Sequence, residues 1–154
     1  MFFRAARSED LNKIKHLLQS NDLPYQDCGE HIDGFVVVED ELEPTSLIQE
    51  PREIIAIGAM ESHGEVGLLR SLVVADCFKS QKIGQLLCRK IIEQALLKGI
   101  KGIYLMTMNA QCYFEKQGFV RLDKDKAPME IQMTKQFSTL CPKDAILMQY
   151  RLAK

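Results

Sequence analysis

LLRSLVVADCFKSQKIGQLLCRKIIEQA, residues 68–95, joins three kinds of pattern in succession. An apolar, β-branched run ends at Val74, a polar loop follows at residues 76–82, and a helical pattern begins at Ile83. The start of a helix carries backbone N–H groups without intrahelical partners, and the helix dipole favours an anion there. We therefore expect this loop to bind a phosphate-bearing cofactor.

The composition predicts one globular domain. A chain of 154 residues with 46% hydrophobic content is long enough for a single core, and we expect one domain over residues 1–154. Twenty basic and 21 acidic residues without a long run of one sign give no argument for a nucleic-acid or membrane-surface partner. Without an apolar signal segment or an apolar run of about 18 residues, we expect a cytoplasmic protein.

The cysteines indicate neither a disulfide framework nor a metal site. They are odd in number, and none lies in a CxxC pair. We expect them to be reduced and mostly buried, and we expect no bound metal. The five are Cys28, Cys77, Cys88, Cys112 and Cys141.

The first half of the chain predicts a helix followed by antiparallel strands. Ser8 precedes a helical apolar pattern, so we expect it to cap a helix that ends near Ser20. A loop or helical turn should follow at residues 21–33. The next β-branched runs lie at residues 35–38, 54–59 and 65–74.

The connections between these strands are polar. We interpret the acidic run at Glu39, Asp40, Glu41 and Glu43 as the solvated tip of a long hairpin loop. We interpret residues 62–64, Ser-His-Gly, as a turn.

The second half predicts a helix that connects two parallel strands. Apolar residues recur at helical spacing after Ile83, and Gly99 should end that helix. Thr107 or Asn109 can cap a short helix that Gly118 terminates. Further strands are expected at residues 102–107, 119–122 and 145–150, with residues 128–137 partly helical. The predicted fold class is α/β (α+β), a mixed sheet flanked by helices.

Two motifs resemble those of the GNAT family of acyl-CoA-dependent N-acyltransferases. Residues 79–84, Lys-Ser-Gln-Lys-Ile-Gly, stand where the family has R/Q-x-x-G-x-G/A, and residues 110–119 follow A-x-x-Y-F-E-K-x-G-F, where the family usually has A-x-x-F-Y-E-K-x-G-F. The resemblance implies a mostly antiparallel sheet with one splayed parallel strand pair. It also implies acetyl-CoA as cosubstrate.

The resemblance assigns roles by position. The backbone of the strand at residues 72–74 would hold the pantetheine arm, and the loop and first helical turn would hold the pyrophosphate. Positions just before the short helix would lie beside the arm. The implied cofactor-binding residues are Leu72, Val73, Val74, Lys79, Ser80, Gln81, Lys82, Ile83, Gly84, Gln85, Thr107, Asn109 and Phe114.

The chain departs from the family pattern at two places. Lys82 replaces a glycine; its side chain can point outward if its φ is negative, and its charge can contact phosphate, so we expect CoA binding to persist with altered geometry. The family's general-acid tyrosine falls on Phe114, while Tyr113 lies about 100° around the helix, in a slot that normally packs into the core. We keep Tyr113 as the candidate acid and Glu65 as the candidate base.

Ala127-Pro128 is followed by Ile131, Thr134, Phe137 and Leu140-Cys141-Pro142, with Ala145 and Met148 further on. Together with residues 70–74, Arg-Ser-Leu-Val-Val, this pattern resembles the subgroup of GNAT-like proteins encoded in arsenic-resistance operons. By that resemblance, Thr134, Gln136 and Cys141 would line the acceptor pocket. Arg70 suits a substrate carboxylate or arsonate oxyanion, and its alternative is a strand arginine paired with a neighbouring carboxylate. The alternative for Cys141 is a buried residue at a strand edge.

Three functions follow from these patterns. The first is an acetyl-CoA-dependent N-acetyltransferase acting on a small amine or amino-acid-like acceptor. The second is a CoA-binding protein without effective catalysis, and the third is a thiol-based protein that binds or senses a metalloid. The expected partners are small molecules, and a homodimer is left open.

Overall fold

Seven strands form one mixed sheet in the computed structural model, which describes residues 1–40, 53–140 and 143–151 but not the side chains of Cys77, Ser80 and Gln81. The strands are β1 (Phe2–Ala5), β2 (Phe35–Glu39), β3 (Ile54–His63), β4 (Val66–Val74), β5 (Gly102–Thr107), β6 (Phe119–Leu122) and β7 (Ile146–Tyr150). Their order is β1-β2-β3-β4-β5-β7-β6, and β4 pairs with β5 in parallel. The predicted mixed, mostly antiparallel sheet is confirmed.

Four α-helices accompany the sheet in the part of the chain that the structure describes. They are α1 (Leu11–Ser20), α2 (Ile83–Leu97), α3 (Gln111–Lys116) and α4 (Met129–Gln132). Short 3-10 turns lie at Ser8–Asp10, Cys28–Gly34, Asp76–Gln81 and Lys124–Lys126, and a π-turn lies at Gln136–Leu140. Among the described residues, every helix is too short or too polar to span a lipid bilayer.

The start of α1 differs from the prediction. Ser8 does not cap a helix; it opens a 3-10 turn, and α1 begins only at Leu11. The carboxylate of Asp10 accepts a hydrogen bond from the backbone N–H of Arg7 at 2.7 Å. Asp10 can accept this hydrogen bond at the start of the turn because Arg4 also binds its carboxylate and holds it in place.

β3 is longer than the run at residues 54–59 that the sequence predicts. It continues to His63, and the turn to β4 consists of Gly64, at φ 65, and Glu65. The interpretation of residues 62–64 as a turn is therefore wrong for Ser62 and His63. Glu61 and His63 are poor strand formers, and the sequence cannot show that they find partners on the sheet.

The described residues form two compact units, Met1–Ala59 with Ser71–Leu87, and Met60–Arg70 with Cys88–Lys154. The first has a core of α1, β2 and β3 side chains, including Ile14, Leu18, Phe35 and Ile57, each at most 1% exposed. The second has a core in which Leu68 packs with Leu147 and with Ile131 of α4. A single domain over residues 1–154 stays a prediction.

The helical period after Ile83 predicts α2 well. The residues expected on its apolar side are all buried, and Gly99, at φ 95, follows the end of the helix. The buried set is Ile83, Leu87, Cys88, Ile91, Ile92 and Ala95.

The cysteines differ in exposure. Cys28 and Cys88 are buried, whereas Cys112 is exposed, so the expectation of mostly buried cysteines fails at Cys112. Burial raises the pKa of Cys88 to about 12. Cys141 and the acidic residues Glu41 and Glu43 lie outside the described residues.

Candidate functional site

The extended conformation of β4 is interrupted at Ser71, and this interruption is called the break in β4. Ser71 has φ 61, a left-handed conformation that is uncommon for a residue other than glycine. The strand then continues, and just after its end the N–H of Ala75 donates to the carbonyl of Ile55 at 2.8 Å. Because backbone groups alternate in direction along a strand, those of Leu72 and Val74 point away from β3.

The parallel pairing of β4 with β5 is short. Its register joins Val66 to Gly102, Gly67 to Ile103 and Leu68 to Tyr104. The recorded pairing therefore ends before the break at Ser71.

The connection from β4 to α2 presents a helix terminus. A 3-10 turn at Asp76–Gln81 is followed by Lys82 at φ 59 and ψ 20, so the condition of a negative φ at Lys82 is not met. The first helical hydrogen bond runs from the N–H of Leu86 to the carbonyl of Lys82 at 3.2 Å. The N–H groups of the three residues between them, 83–85, precede that bond and point out of the helix end. This end is suited to an anion.

Two lysines add positive charge to the same connection. Lys79 pairs through Nζ with Oδ1 of Asp76 at 2.9 Å, but both side chains are more than half exposed. Such a pair is weakly held, so Lys79 can turn to another anion. Lys82 is exposed.

Thr107 organises the turn before α3. Its Oγ1 accepts a hydrogen bond from the N–H of Ala110 at 3.1 Å, whereas Asn109 is exposed. Of the two residues considered as caps, Thr107 makes the contact. At the other end, Gly118 has φ 102 and donates its N–H to Glu115 at 3.1 Å, which confirms it as the residue that ends the helix.

Phe114 is buried and Tyr113 is exposed, which is the reverse of what the family pattern predicts for these two positions. Phe114 is 9% exposed and packs edge-on against Phe119, with ring centroids 5.8 Å apart. Tyr113 is 38% exposed, so the expectation that its slot packs into the core is wrong. Burial of part of the ring still raises the pKa of the Tyr113 phenol, and nearby Cys88 adds to that shift.

Arg70 is part of a buried chain of charged groups. Its Nη1 donates to Oε2 of Glu61 at 3.0 Å, and Oε1 of Glu61 lies 2.8 Å from Nε2 of His63. The alternative considered for Arg70, a strand arginine paired with a carboxylate, is therefore present in the structure. Sequence reasoning missed Glu61 and His63, although their spacing of two residues in a strand places both on one face.

Glu65 lies in the turn rather than in β4. Its side chain is 70% exposed and pairs with Nζ of Lys101 at 3.2 Å. The structure therefore places this candidate base in contact with solvent and a lysine.

Thr134 and Gln136 are both buried but differ in their bonding. The Thr134 hydroxyl donates to the carbonyl of Ile131 at 2.8 Å and accepts the N–H of Phe137 at 3.1 Å. Gln136 is 5% exposed, and its side chain makes no hydrogen bond to a described residue.

Comparison with known proteins gives the family and the fold. A family model of the acetyltransferase (GNAT) domain matches residues 31–121. A search of curated proteins finds no significant match.

Three solved structures illustrate the likeness of fold. N-acetylglutamate synthase from Neisseria gonorrhoeae, complexed with coenzyme A and N-acetyl-glutamate, has a TM-score of 0.79 at 18% identity over 99% of this chain and 35% of that chain. A Mycobacterium tuberculosis protein in complex with CoA has a TM-score of 0.76 at 17% identity, over 99% and 100% of the two chains. A GNAT-family acetyltransferase from Staphylococcus aureus has a TM-score of 0.73 at 16% identity, over 99% of each of the two chains.

These likenesses differ in what they establish. The chain spans about a third of the length of the Neisseria synthase, covering 35% of it. With 18% sequence identity, this likeness establishes the fold alone. The family model is stronger, since it matches more than half of the 154 residues, including β4, the loop and α3. The chain therefore belongs to the GNAT family of acetyltransferases.

Proposed function

We propose that the protein is an acetyl-CoA-dependent N-acetyltransferase with a small amine or amino-acid-like acceptor. The observation that carries this proposal is the left-handed Ser71 in β4, at φ 61, together with parallel pairing that ends at Leu68. Members of the family use acetyl-CoA as cosubstrate, and this break in β4 suits an extended ligand arm.

The pantetheine arm would bind β4 beyond the break as an added strand binds a sheet edge. The backbone groups of Leu72 and Val74 would supply the hydrogen bonds, since they point away from β3. The side chain of Val73 is 5% exposed in the first core and would anchor the strand. Thr107 and Asn109 would lie beside the arm.

The pyrophosphate would bind at the start of α2. Backbone N–H groups of Ile83, Gly84 and Gln85 would donate to it, and Lys79 and Lys82 would add charge. Ser80 and Gln81 belong to the same turn. We expect a micromolar dissociation constant, which corresponds to about 8 kcal/mol.

The chemistry would be direct transfer. The amine nitrogen would attack the thioester carbonyl, and a backbone N–H of β4 near Val73 or Val74 would stabilise the oxyanion. The phenol of Tyr113 would donate a proton to the departing thiolate, and Glu65 is the base that the sequence proposes. Phe114 would contact the cofactor without donating a proton.

The acceptor would lie along the segment that carries Thr134 and Gln136. The Gln136 carboxamide can donate and accept hydrogen bonds, which suits a polar amino acid. We propose Arg70 and Cys141 as further acceptor contacts, and arsenic-containing amino acids as one acceptor group. The Neisseria synthase structure contains N-acetyl-glutamate, which supports testing acidic amino acids.

A CoA-binding protein without effective catalysis is the second candidate. The observation in its favour is Phe114, which places a buried ring without a hydroxyl where the family has its acid. A thiol-based metalloid site has less support, because burial raises the pKa of Cys88 to about 12 and keeps that thiol protonated.

Two measurements separate these functions. Calorimetry with acetyl-CoA tests binding, and release of free thiol from acetyl-CoA tests transfer across amino acids, arsenic-containing amino acids and simple amines. Binding with acceptor-dependent thiol release supports the enzyme. Binding without release from any acceptor supports the second candidate, and the absence of binding at millimolar acetyl-CoA contradicts both.

A further inference from the structure

Asp76 and Lys79 form an ion pair in the connection from β4 to α2. Oδ1 of Asp76 lies 2.9 Å from Nζ of Lys79. A 3-10 helix has about three residues per turn, so the side chains of residues i and i+3 lie one above the other. The 3-10 turn at Asp76–Gln81 therefore brings these two side chains together. The contact is a consequence of the backbone conformation of this segment.

The same lysine lies close to the start of α2, where the pyrophosphate is proposed to bind. Lys79 precedes Lys82 by three residues, and a 3-10 turn rises about 2 Å per residue, so the backbone advances only about 6 Å between them. The flexible stem of a lysine spans such a distance. All of these residues belong to one compact unit, which includes Ser71–Leu87. Lys79 can therefore reach either the carboxylate of Asp76 or an anion at the N–H groups of residues 83–85.

The two anions compete for one ammonium group. A carboxylate oxygen and a phosphate oxygen accept hydrogen bonds from the same N–H donors of Lys79. Sharing the ammonium would bring Asp76 and the pyrophosphate together, and the repulsion of like charges opposes this arrangement. The ion pair is weak, because the side chain of Lys79 is 55% exposed and that of Asp76 is 90% exposed. A competitor of this strength lowers an affinity without blocking binding.

We propose that Asp76 is an intramolecular competitor of the cofactor's pyrophosphate for Lys79, and that re-formation of the Asp76–Lys79 pair assists the release of CoA. This inference rests on the proposed function. When the cofactor binds, Nζ of Lys79 leaves Oδ1 of Asp76 and contacts a phosphate oxygen. When CoA dissociates, the carboxylate binds the ammonium again. Product release limits the turnover of many enzymes, and where it does, a carboxylate in this position raises turnover at the expense of affinity.

The test is calorimetry with CoA on Asp76→Asn. This substitution keeps the size of the side chain and removes its charge. We expect the dissociation constant for CoA to fall roughly two- to fivefold, which is the size of effect that exposed ion pairs have on an equilibrium constant. The dissociation rate in stopped flow should fall by a similar factor, since changes of affinity at one site appear mainly in that rate. The gain should shrink in 1 M salt, where the screening length is about 3 Å.

Asp123→Asn is the matched control. Asp123 also pairs with a lysine three residues later, with Oδ2 of Asp123 4.0 Å from Nζ of Lys126 and both side chains mostly exposed. This pair accompanies the 3-10 turn at Lys124–Lys126, and neither residue is among those proposed to bind the cofactor. Asp123→Asn should therefore leave the dissociation constant for CoA unchanged.

Lys79→Gln separates competition for the lysine from simple repulsion of phosphate. In a protein without the Lys79 ammonium, Asp76→Asn should give a clearly smaller gain in CoA affinity than in the wild type, because no ammonium is left to be released. An equal gain in both backgrounds would overturn this inference alone, as would an unchanged or raised dissociation constant in folded Asp76→Asn. The absence of CoA binding by the wild type at millimolar CoA would overturn the proposed function as well.

Discussion

Arg70 and Glu61 form an ion pair that is almost completely removed from water. Nη1 of Arg70 lies 3.0 Å from Oε2 of Glu61, and the two side chains are 0% and 4% exposed. Desolvation penalises each charge, and the mutual attraction offsets that penalty only while both partners are present. The energetic consequence is strong coupling between the two positions.

Glu61→Ala should destabilise the protein severely. Removing one partner of a buried ion pair costs about 3–5 kcal/mol, because the other charge stays buried. Urea unfolding measures this loss. The double variant Glu61→Ala with Arg70→Ala should lose clearly less than the sum of the single variants, since it removes both charges. Losses that simply add would show that the two residues do not depend on each other.

The exposed pair Glu65–Lys101 is the matched control. Its side chains are 70% and 74% exposed, and water and salt screen the attraction. Glu65→Ala should change the free energy of unfolding by at most about 1 kcal/mol.

Lys82→Gly should stabilise the protein while weakening CoA binding. Lys82 has φ 59, a conformation that costs a residue with a Cβ about 1 kcal/mol or more relative to glycine. Relief of that strain should raise the urea midpoint. Loss of the charge should raise the dissociation constant for CoA in calorimetry. Lys79→Gly removes the same charge from the 3-10 turn and should not stabilise, so equal stability changes in the two variants would contradict the strain at Lys82.

Sequence patterns predict the elements of this fold but not their local geometry. The apolar period after Ile83 locates α2, and β-branched runs locate most strands, since both patterns reflect burial on one side. The left-handed Lys82 is invisible to such patterns, because a lysine there has no propensity signal. Only the likeness to the family pattern indicates it, since the family has glycine at that position.

For the candidate site too, the sequence predicts the elements but not the contacts between side chains. The resemblance supplied β4, the loop and α2 as a cofactor site. It could not supply the contact of Glu61 with Arg70, which depends on β3 continuing to His63 and on a two-residue turn after it. It also misplaced Tyr113, because α3 has six residues and too few apolar positions to reveal which side is buried.

Asp10→Asn should remove a stability contribution that depends on pH. Hydrogen bonds from Arg4 at 2.8 and 3.0 Å lower the pKa of Asp10, outweighing the burial that would raise it. A depressed pKa stabilises the fold fully above the unfolded value, about 3.9, and the contribution is lost as pH falls through the folded value. Asp10→Asn should therefore lose about 1.5–3 kcal/mol at pH 7, with the difference from wild type shrinking below about pH 4.

Urea unfolding at a series of pH values tests this dependence, and Asp33→Asn, at an exposed position, is the control. A difference between wild type and Asp10→Asn that stays constant into the acid range would mean that the ionised carboxylate is not the stabilising form.

Phe114→Tyr should raise kcat and lower stability. It places a phenol where the family has its acid, and a positioned proton donor is worth roughly 10²-fold or more. The side chain is 9% exposed and packs against Phe119, so the new hydroxyl costs about 1–3 kcal/mol unless it finds a partner. Thiol release at saturating acetyl-CoA and urea unfolding measure the two effects. Reduced stability with an unchanged kcat would show that the position does not reach the leaving sulfur.

Tyr113→Phe should lower kcat if the Tyr113 phenol protonates the departing thiolate, and the pH profile identifies the group. Burial raises the pKa of Tyr113 above its ordinary value of 10, so the phenol keeps its proton at neutral pH. The alkaline decline of wild-type kcat that belongs to this group should therefore have its midpoint above the ordinary value of the phenol pKa, and it should be missing in the variant. The raised pKa also makes the phenol a weaker acid, which limits its contribution toward the low end of roughly 10²–10⁴-fold. Equal kcat values and equal profiles in both proteins would remove Tyr113 from the reaction and leave solvent to protonate the thiolate.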